Sequence, residues 1–556
     1  MRHAGKVALG LALGLALVGC SDNPYDPNAP VIDPNAPRVH ITSPKRGTIA
    51  GDIHTITVTG TVESKNQISS VTVDGVAASV AQDGTWTATV PVVPGTNLLH
   101  AIATDNQNMT GKESRAVVAG PMAKISTQVP NALTATLSAQ TFTALGKAAG
   151  NFITGGDLSS MLQAGNPVLD LGGGPDCLYV QASITSFTVG GAQIALAPQP
   201  GGLWLDAELD NIDVGMHLQY AAACLDGSRD ITVGASHVSV SGNLAVGLAA
   251  GNFDIHLDSP NVAITGFNVE LGGIPGAIVD MLSLDTAMGP ILGWATEKLV
   301  VPMLNKSLAG LDTTKTIDVM GTPVDVSVKP SAIDFSDQGG IVELDTSLRA
   351  HGDNLSPGFV FVPNTVPAMD LSHGFQLAVA DDAANQLLAS LWAAHGLDKV
   401  IDLKTGPYGE VGQLYDSVEL SAAVPPFVDA SGNALELTVG DLMATFRNGE
   451  LTATEVAISA EVDLKVTNDA SGAIRLDVGQ PTTYIDVLDD SEGVSGANQL
   501  SNSQFEAISS FALSRIVAVG SGSVGAIPLP TLEGVAVTNL TVGEQAGYVV
   551  VDGTVQ

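Results

Sequence analysis

The sequence predicts an α+β fold: an all-β sandwich at the N-terminus, then two related halves that each pair antiparallel strands with an amphipathic helix. Three observations carry this expectation. Short alternating apolar runs recur at regular spacing between Val39 and Ala119. A helical apolar period stands near residue 140 and again near residue 385. Glycine makes up 61 of the 556 residues amid many Val and Thr, a composition of strands and turns. A chain of this length holds roughly two to four domains.

Residues 1–19 have a basic start (Arg2, His3, Lys6) and an apolar run from Val7 to Val18. That run is too short to span a bilayer, so it reads as a signal peptide. It ends in Leu17-Val18-Gly19-Cys20, which resembles the bacterial lipobox. The resemblance implies cleavage before Cys20 and acylation of its new N-terminus, and several acyl chains suffice for stable anchoring. Residues 20–37 contain a repeated Asp-Pro-Asn-Ala-Pro and read as an extended tether. Ser21 follows the cysteine in place of the aspartate that retains enteric-type lipoproteins in the inner membrane, which favours the outer membrane.

Lys and Arg number 22 against 57 Asp and Glu, a formal net charge of −35. Such a surface is repelled by phosphate backbones and by anionic headgroups, which excludes nucleic acid as an expected partner. Mean hydropathy is +0.28 with 45% hydrophobic residues. The cores are large, or apolar surface is kept for a ligand.

Residues 38–119 contain "HTITVTGTV", "ISSVTVDG", "TWTATVPV" and "NLLHAIATD", spaced as in a β-sandwich. Ile41–Pro44, Asp83–Trp86 and Pro94–Leu98 resemble motifs of bacterial Ig-like domains. No cysteine lies here, so apolar packing alone must hold the sheets, and a spacer is the simplest role.

In residues 120–365, Leu137, Phe142, Leu145, Ala149, Phe152 and Ile153 recur near a 3.6 period and predict a helix. Strand patterns follow in "LYVQASITSFTVGG", "GLWLDAELDNIDVGMHLQYA" and "ITVGASHVSVSGNLAVGLAAG". A long apolar helical region, interrupted at Pro290 and Pro302, closes this half. Residues 366–556 repeat the order: "DDAANQLLASLWAAHGL" as helix, strands from Ser417 to Val478, and a helix near Gln504–Ala518 with a Ser503/Glu506 capping box. Pro528 and Pro530 then precede two alternating runs, Val535–Leu540 and Tyr548–Val551.

The segments "LSHGFQLAVADDAANQLLASLWAAHGL", "VELSAAVPPFV", "FEAISSFALSRIVAVG" and "AIPLPTLEGVAVTNLTV" resemble the tubular lipid-binding (TULIP) superfamily. The nearest group is that of the bactericidal/permeability-increasing and lipopolysaccharide-binding proteins. The resemblance implies an elongated boomerang of two halves, each a twisted antiparallel sheet wrapped on a long helix around an apolar tunnel for acyl chains. It implies tunnel lining by Leu137, Phe142, Leu145, Phe152, Leu292, Leu299, Leu388, Leu391, Phe505, Ile508, Phe511 and Ile516. Two features depart from that group. The chain is acidic where relatives that neutralise lipopolysaccharide carry lysines. The family disulfide also finds no match, since the remaining cysteines, Cys177 and Cys224, lie in early strand patterns. Those two are expected to bond to each other in an oxidising compartment, a closure worth about 4 kcal/mol in the chain-entropy model.

No His-Glu-x-x-His, Gly-x-Ser-x-Gly, phosphate loop or Cys-x-x-Cys is present, so no catalytic residue, metal or cofactor is expected. Asp254, His256 and Asp258 alternate with Phe253, Ile255 and Leu257, as on the solvent face of a strand. "VDASGNALEL" and "NDASGAIRLD" read as hairpin turns, and "YIDVLDDSEG" as an exposed acidic turn. The expected function is a membrane-anchored lipoprotein that binds and transfers phospholipid or another acyl lipid. The alternative is a structural or adhesive surface lipoprotein without ligand.

Overall fold

The computed structural model describes residues 35–156, 158–163, 165–172, 178–249, 251–269, 273–282, 313–353, 355–372, 374–405, 411–432, 435–468, 474–479, 481–488 and 537–555. The chain there is mostly β-sheet with few helices. Among the described residues, no helix is long and apolar enough to cross a membrane. The predicted helix Gln504–Ala518, the Ser503/Glu506 capping box, the Pro528/Pro530 pair, the signal peptide and Cys20 lie outside the described residues, as do Cys177, Leu292, Leu299, Phe505, Ile508, Phe511 and Ile516.

The N-terminal domain is built from β1 (Arg38–Ser43), β2 (Thr48–Gly51), β3 (Thr55–Glu63), β4 (Ile68–Val73), β5 (Val76–Ala77), β6 (Ser79–Val80), β7 (Thr85–Pro91), β8 (Gly95–Asp105) and β9 (Thr110–Ala119). Two sheets form, in the orders β1-β3-β7-β6 and β2-β9-β8-β4-β5. As the absence of cysteine required, apolar packing joins them: Ile41, Val58, Val73, Trp86, Val90 and Leu99 are all buried. Gly60 makes room for the Trp86 ring, since a Cβ there would stand 2.2 Å from it, and the indole N–H donates to the Thr61 carbonyl at 3.0 Å.

The chain continues through β10 (Met122–Ala123) and β11 (Val129–Ser138) into α1 (Ala139–Gly155) and α2 (Ser159–Gln163). A long meander follows: β12 (Leu169–Gly172), β13 (Tyr179–Gln199), β14 (Gly202–Ala222), β15 (Leu225–Ala249) and β16 (Asn252–Thr265). The short β17 (Asn268–Val269) returns to β15 and leads to α3 (Gly276–Leu282). Then come β18 (Thr313–Val319), β19 (Thr322–Ser336), β20 (Gly339–Ala350), β21 (Phe359–Val360), β22 (Phe375–Ala380) and α4 (Asp381–Ala393). The last part comprises β23 (Lys399–Asp402), α5 (Val411–Leu414), β24 (Ser417–Ala422), β25 (Phe427–Asp429), β26 (Leu435–Asn448), β27 (Leu451–Asn468), β28 (Ile474–Val478), β29 (Thr482–Leu488), β30 (Val537–Gln545) and β31 (Tyr548–Val555).

The central sheet runs β18-β19-β20-β11-β22-β31-β30, with a hairpin on either side of the β11–β22 pair. Strands β11 and β22 are antiparallel neighbours, with Ala135 opposite Leu377. Each runs straight into a helix three residues later: Ser138 into α1, Ala380 into α4. On the outer side of β11 lies hairpin β19–β20, and on the outer side of β22 lies hairpin β30–β31. Gly339 pairs with Ser138 as Tyr548 pairs with Ala380. The repeated element order of the sequence therefore appears as two groups of strands set side by side in one sheet, joined at β11 and β22. The closing hairpin, predicted as Val535–Leu540 and Tyr548–Val551, completes this sheet rather than the sheet of the last half.

Two further sheets flank the centre: β12-β13-β14-β15-β16, and β23-β24-β26-β27-β28 with β25 on β26 and β29 on β27. The alternation read in the sequence is what folds them. In β14 the residues Leu203, Leu205, Ala207 and Leu209 are buried while Trp204, Asp206 and Glu208 are exposed. Asp254, His256 and Asp258 lie on the exposed face of β16, with a single His256–Asp258 contact at 3.4 Å. The first Asp-Ala-Ser-Gly segment, Asp429–Gly432, leads from β25 to its partner β26, and the second lies outside the described residues. Of the segment expected as an exposed acidic turn, the first part is corrected, since Tyr484–Leu488 belongs to β29 and pairs with β27, while residues 489–493 lie outside the described residues. Its alternation of Ile485 and Val487 with polar residues is a strand signal that the surrounding acids obscured.

Candidate functional site

The longest apolar interior lies between α1 and the β12–β16 sheet. Ser138 caps α1: its hydroxyl accepts from the Thr141 N–H at 3.3 Å and donates to the Gly374 carbonyl at 2.7 Å. The helix then lies against β13 at close range because Gly146 and Gly150 face the strand. A Cβ at these positions would stand 2.4 Å from the Ile194 carbonyl oxygen and 2.8 Å from that of Ala192. The contact face carries Phe142, Leu145, Ala149 and Ile153, all buried.

Of the residues expected to line a tunnel, Phe142 and Leu145 do share one cavity, together with Leu203, Val246, Ile255 and Phe335. Leu137 lines it too, but from the end of β11 and not from the helix. The strand's apolar face runs into phase with the helix, which is why a 3.6 period counted Leu137 in. Phe152 is 41% exposed near the helix end and does not join this interior. Leu388 and Leu391 sit on α4 but face different cores. Leu391 packs with the core of α1 and the β12–β16 sheet, and Leu388 packs against that of β24–β29. Helix α4 is thus shared between two interiors, whereas the sequence reading gave both leucines to one.

The cavity is wholly apolar and encloses about 10 Å³, about the space of one water molecule. As it stands it is too small for an acyl chain. The inner face that continues from it is far longer. Strand β14, with 21 residues, extends about 70 Å. Helix α1, with 17 residues, covers about 25 Å of that. Buried apolar side chains continue well beyond it, at Ile212, Val214, Met216 and Leu218.

A polar feature that sequence reading passed over marks the start of α4. Asp381 accepts from the Ala430 N–H at 2.9 Å and the Asn364 amide at 2.9 Å, and Asp382 accepts from the Val362 N–H at 3.3 Å. Burial pushes Asp381 up to about 6, and burial with repulsion from Asp381 pushes Asp382 up to about 7. Burial and the two carboxylates raise Tyr548 to about 12. The pair ties the 360–364 segment and the residue that follows β25 to the helix. Its sequence signal is a double aspartate directly before an apolar helix. Among the described residues no group of three or more His, Cys, Asp or Glu is placed to hold a metal.

Residues 37–120 match the family described as glucodextranase, domain B, over the span read from the sequence as Ig-like. No curated protein matches the chain. Among solved structures, lipopolysaccharide binding protein is 16% identical, with 77% of this chain and 99% of that chain covered and a TM-score of 0.35. P47 from Clostridium botulinum A2 is 10% identical, with coverage of 76% and 96% and a TM-score of 0.25. Fibronectin(III)-like modules of Clostridium thermocellum CbhA are 13% identical, with coverage of 35% and 92% and a TM-score of 0.14.

Proposed function

We propose that residues 120–556 bind acyl lipid and exchange it with membranes, as a TULIP-type body of two halves in a boomerang arrangement. The single observation that carries this reading is the elongated apolar inner face of the β12–β16 sheet, whose buried side chains run on past α1 to Leu218, in one core with Leu162 of α2 and Ile278 of α3. Burying a methylene is worth about 0.8 kcal/mol in bilayer or protein interior alike, so a chain can pass between them at little net cost. With a net charge of −35, headgroup contacts are neutral or zwitterionic. The reading includes removal of residues 1–19, acylation of Cys20, attachment to the outer membrane and no catalytic chemistry. It also pairs Cys177 with Cys224. In its support, Cys224 is disulfide-bonded, and Tyr179, two residues after Cys177, pairs with Ala221.

The small cavity favours a second reading, a structural or adhesive lipoprotein without ligand. Lipid extraction decides between them. The full chain, purified from its own membrane, is expected to carry acyl lipid by native mass spectrometry and to take up fluorescent phosphatidylcholine from vesicles. A folded chain that does neither overturns the lipid reading in favour of the second.

A further inference from the structure

The Ig-like domain is no free spacer: it is docked on the β24–β29 sheet. Ala116 and Val118 of β9 bury against Val360 and Val424, with Leu98 and Phe427 beside them. The approach is close, because a Cβ on Gly440 would stand 2.4 Å from that of Ala116 and one on Gly95 would meet the Phe427 ring at 2.5 Å. Thr96 adds a hydrogen bond to the Pro425 carbonyl at 3.0 Å.

At the centre of this contact five charged side chains meet. Arg46, Glu113 and Arg115 come from the Ig-like domain, Asp441 and Asp486 from the sheet. Their side chains are 11%, 6%, 6%, 0% and 12% exposed. One guanidinium, Arg46, reaches across to both aspartates, and to Asp486 at 3.3 Å. Glu113 lies 3.6 Å from Arg46 and 2.6 Å from Arg115. Two β9 amides complete the join: Ser114 N–H donates to Asp486 at 3.0 Å, and Ala116 N–H to Asp441 at 3.1 Å.

Among the described residues, three carboxylates thus stand against two guanidiniums where water is nearly excluded. A surplus charge in such a place is costly, and one proton removes it. We propose that this cluster is a proton-coupled latch: docking of the Ig-like domain takes up one proton, held on Asp486, and the latch loosens as pH rises from acid towards neutrality.

The surrounding groups fit this assignment. Asp486 is pushed up to about 7 by burial and by Glu113 and Asp441, against the attraction of Arg46 and the Ser114 hydrogen bond. Burial raises Asp441 as well, with Arg46 and Arg115 opposing. His40 bonds Glu113 at 2.8 Å from the rim, where its side chain is 40% exposed. On the other flank His100 stacks on Tyr484 at 3.9 Å, with Asp74, Lys112 and Glu461 around it, and burial lowers its pKa. Of the groups acting on Asp486, all but Asp441 belong to the Ig-like domain. Undocking therefore returns Asp486 to water and to an ordinary carboxylate value near 3.8. Between that value and 7 the docked form holds a proton that the undocked form lacks. This contribution to docking is accordingly full below about 4, falls as pH rises to 7 and is flat above it, so that from pH 5 to pH 9 the equilibrium constant falls about a hundredfold.

Amide hydrogen exchange on the full chain tests this, with rates corrected for intrinsic pH dependence. Ser114 and Ala116 report the latch, and Val58 and Val90 report the interior of the Ig-like domain. Protection of the first pair is expected to fall about a hundredfold from pH 5 to pH 9 while that of the second pair holds. Asp486→Asn mimics the protonated acid and should remove most of that slope; Arg46→Met should open the latch at both pH values with Val58 still protected. A wild-type slope of zero, or an unchanged slope in Asp486→Asn, overturns the proposal.

Discussion

Asp381 and Asp382 follow β22 directly and head α4, where carboxylates complement the helix dipole. Burial nonetheless raises both, so the folded chain holds protons there that an unfolded chain releases near 3.8. The contribution of Asp382 to stability is therefore favourable in mild acid, declines as pH rises towards 7 and is flat above it. Asp382→Asn should leave the Val362 hydrogen bond in place while removing the ionisation. At pH 8 we expect it to gain about 1–2 kcal/mol in urea unfolding, and at pH 5 to change little. A loss at pH 8 would contradict the assignment of a buried, proton-binding carboxylate. Single residues were also where the sequence was least legible. Asp486 read as one more exposed acid because Arg46, which turns it inward, lies 440 positions away. Nothing local to "YIDVLDDSEG" records that partner.

At the scale of elements, period-two alternation placed β13 to β16 and β24 correctly, because one face of each strand is more buried than the other. The start of α1 was set one step early at Leu137, since an apolar strand residue cannot be told from a helical one by spacing alone. What spacing also could not show is why α1 has glycines in its interior. In an unpacked helix Gly→Ala gains about 1 kcal/mol. At Gly146 the new methyl would stand 2.4 Å from the Ile194 carbonyl oxygen, whereas at Gly155 it meets nothing within 4 Å. Gly146→Ala is therefore expected to cost about 1–3 kcal/mol by overpacking, and Gly155→Ala to be neutral or stabilising. Opposite signs in thermal denaturation confirm the helix-on-strand contact; equal signs refute it.

For the whole molecule, the sequence showed a repeated element order but not that the two parts join edge to edge in one sheet. Strand β22 lies between β11 and β31, and β31 lies between β22 and β30, so strands from both sides of residue 365 share one sheet. The face formed by Ala135, Phe375, Leu377 and Val551 is buried only while all three strands are present. Helix α4 adds a second bond between the parts: Gln386 donates to the Ile125 and Thr127 carbonyls and accepts from the Leu348 N–H, and Ser390 accepts from the Ala350 N–H. Cutting the chain at residue 365 would leave β11 as an open edge with an apolar face, which favours edge-to-edge association. Residues 37–365 produced alone are thus expected to aggregate or to elute as large species in size-exclusion chromatography. Co-production with residues 366–556 should restore a one-to-one complex of normal size, because the missing strands are supplied in trans. A monomeric, cooperatively unfolding 37–365 fragment would mean that the central sheet is not what holds the two parts together.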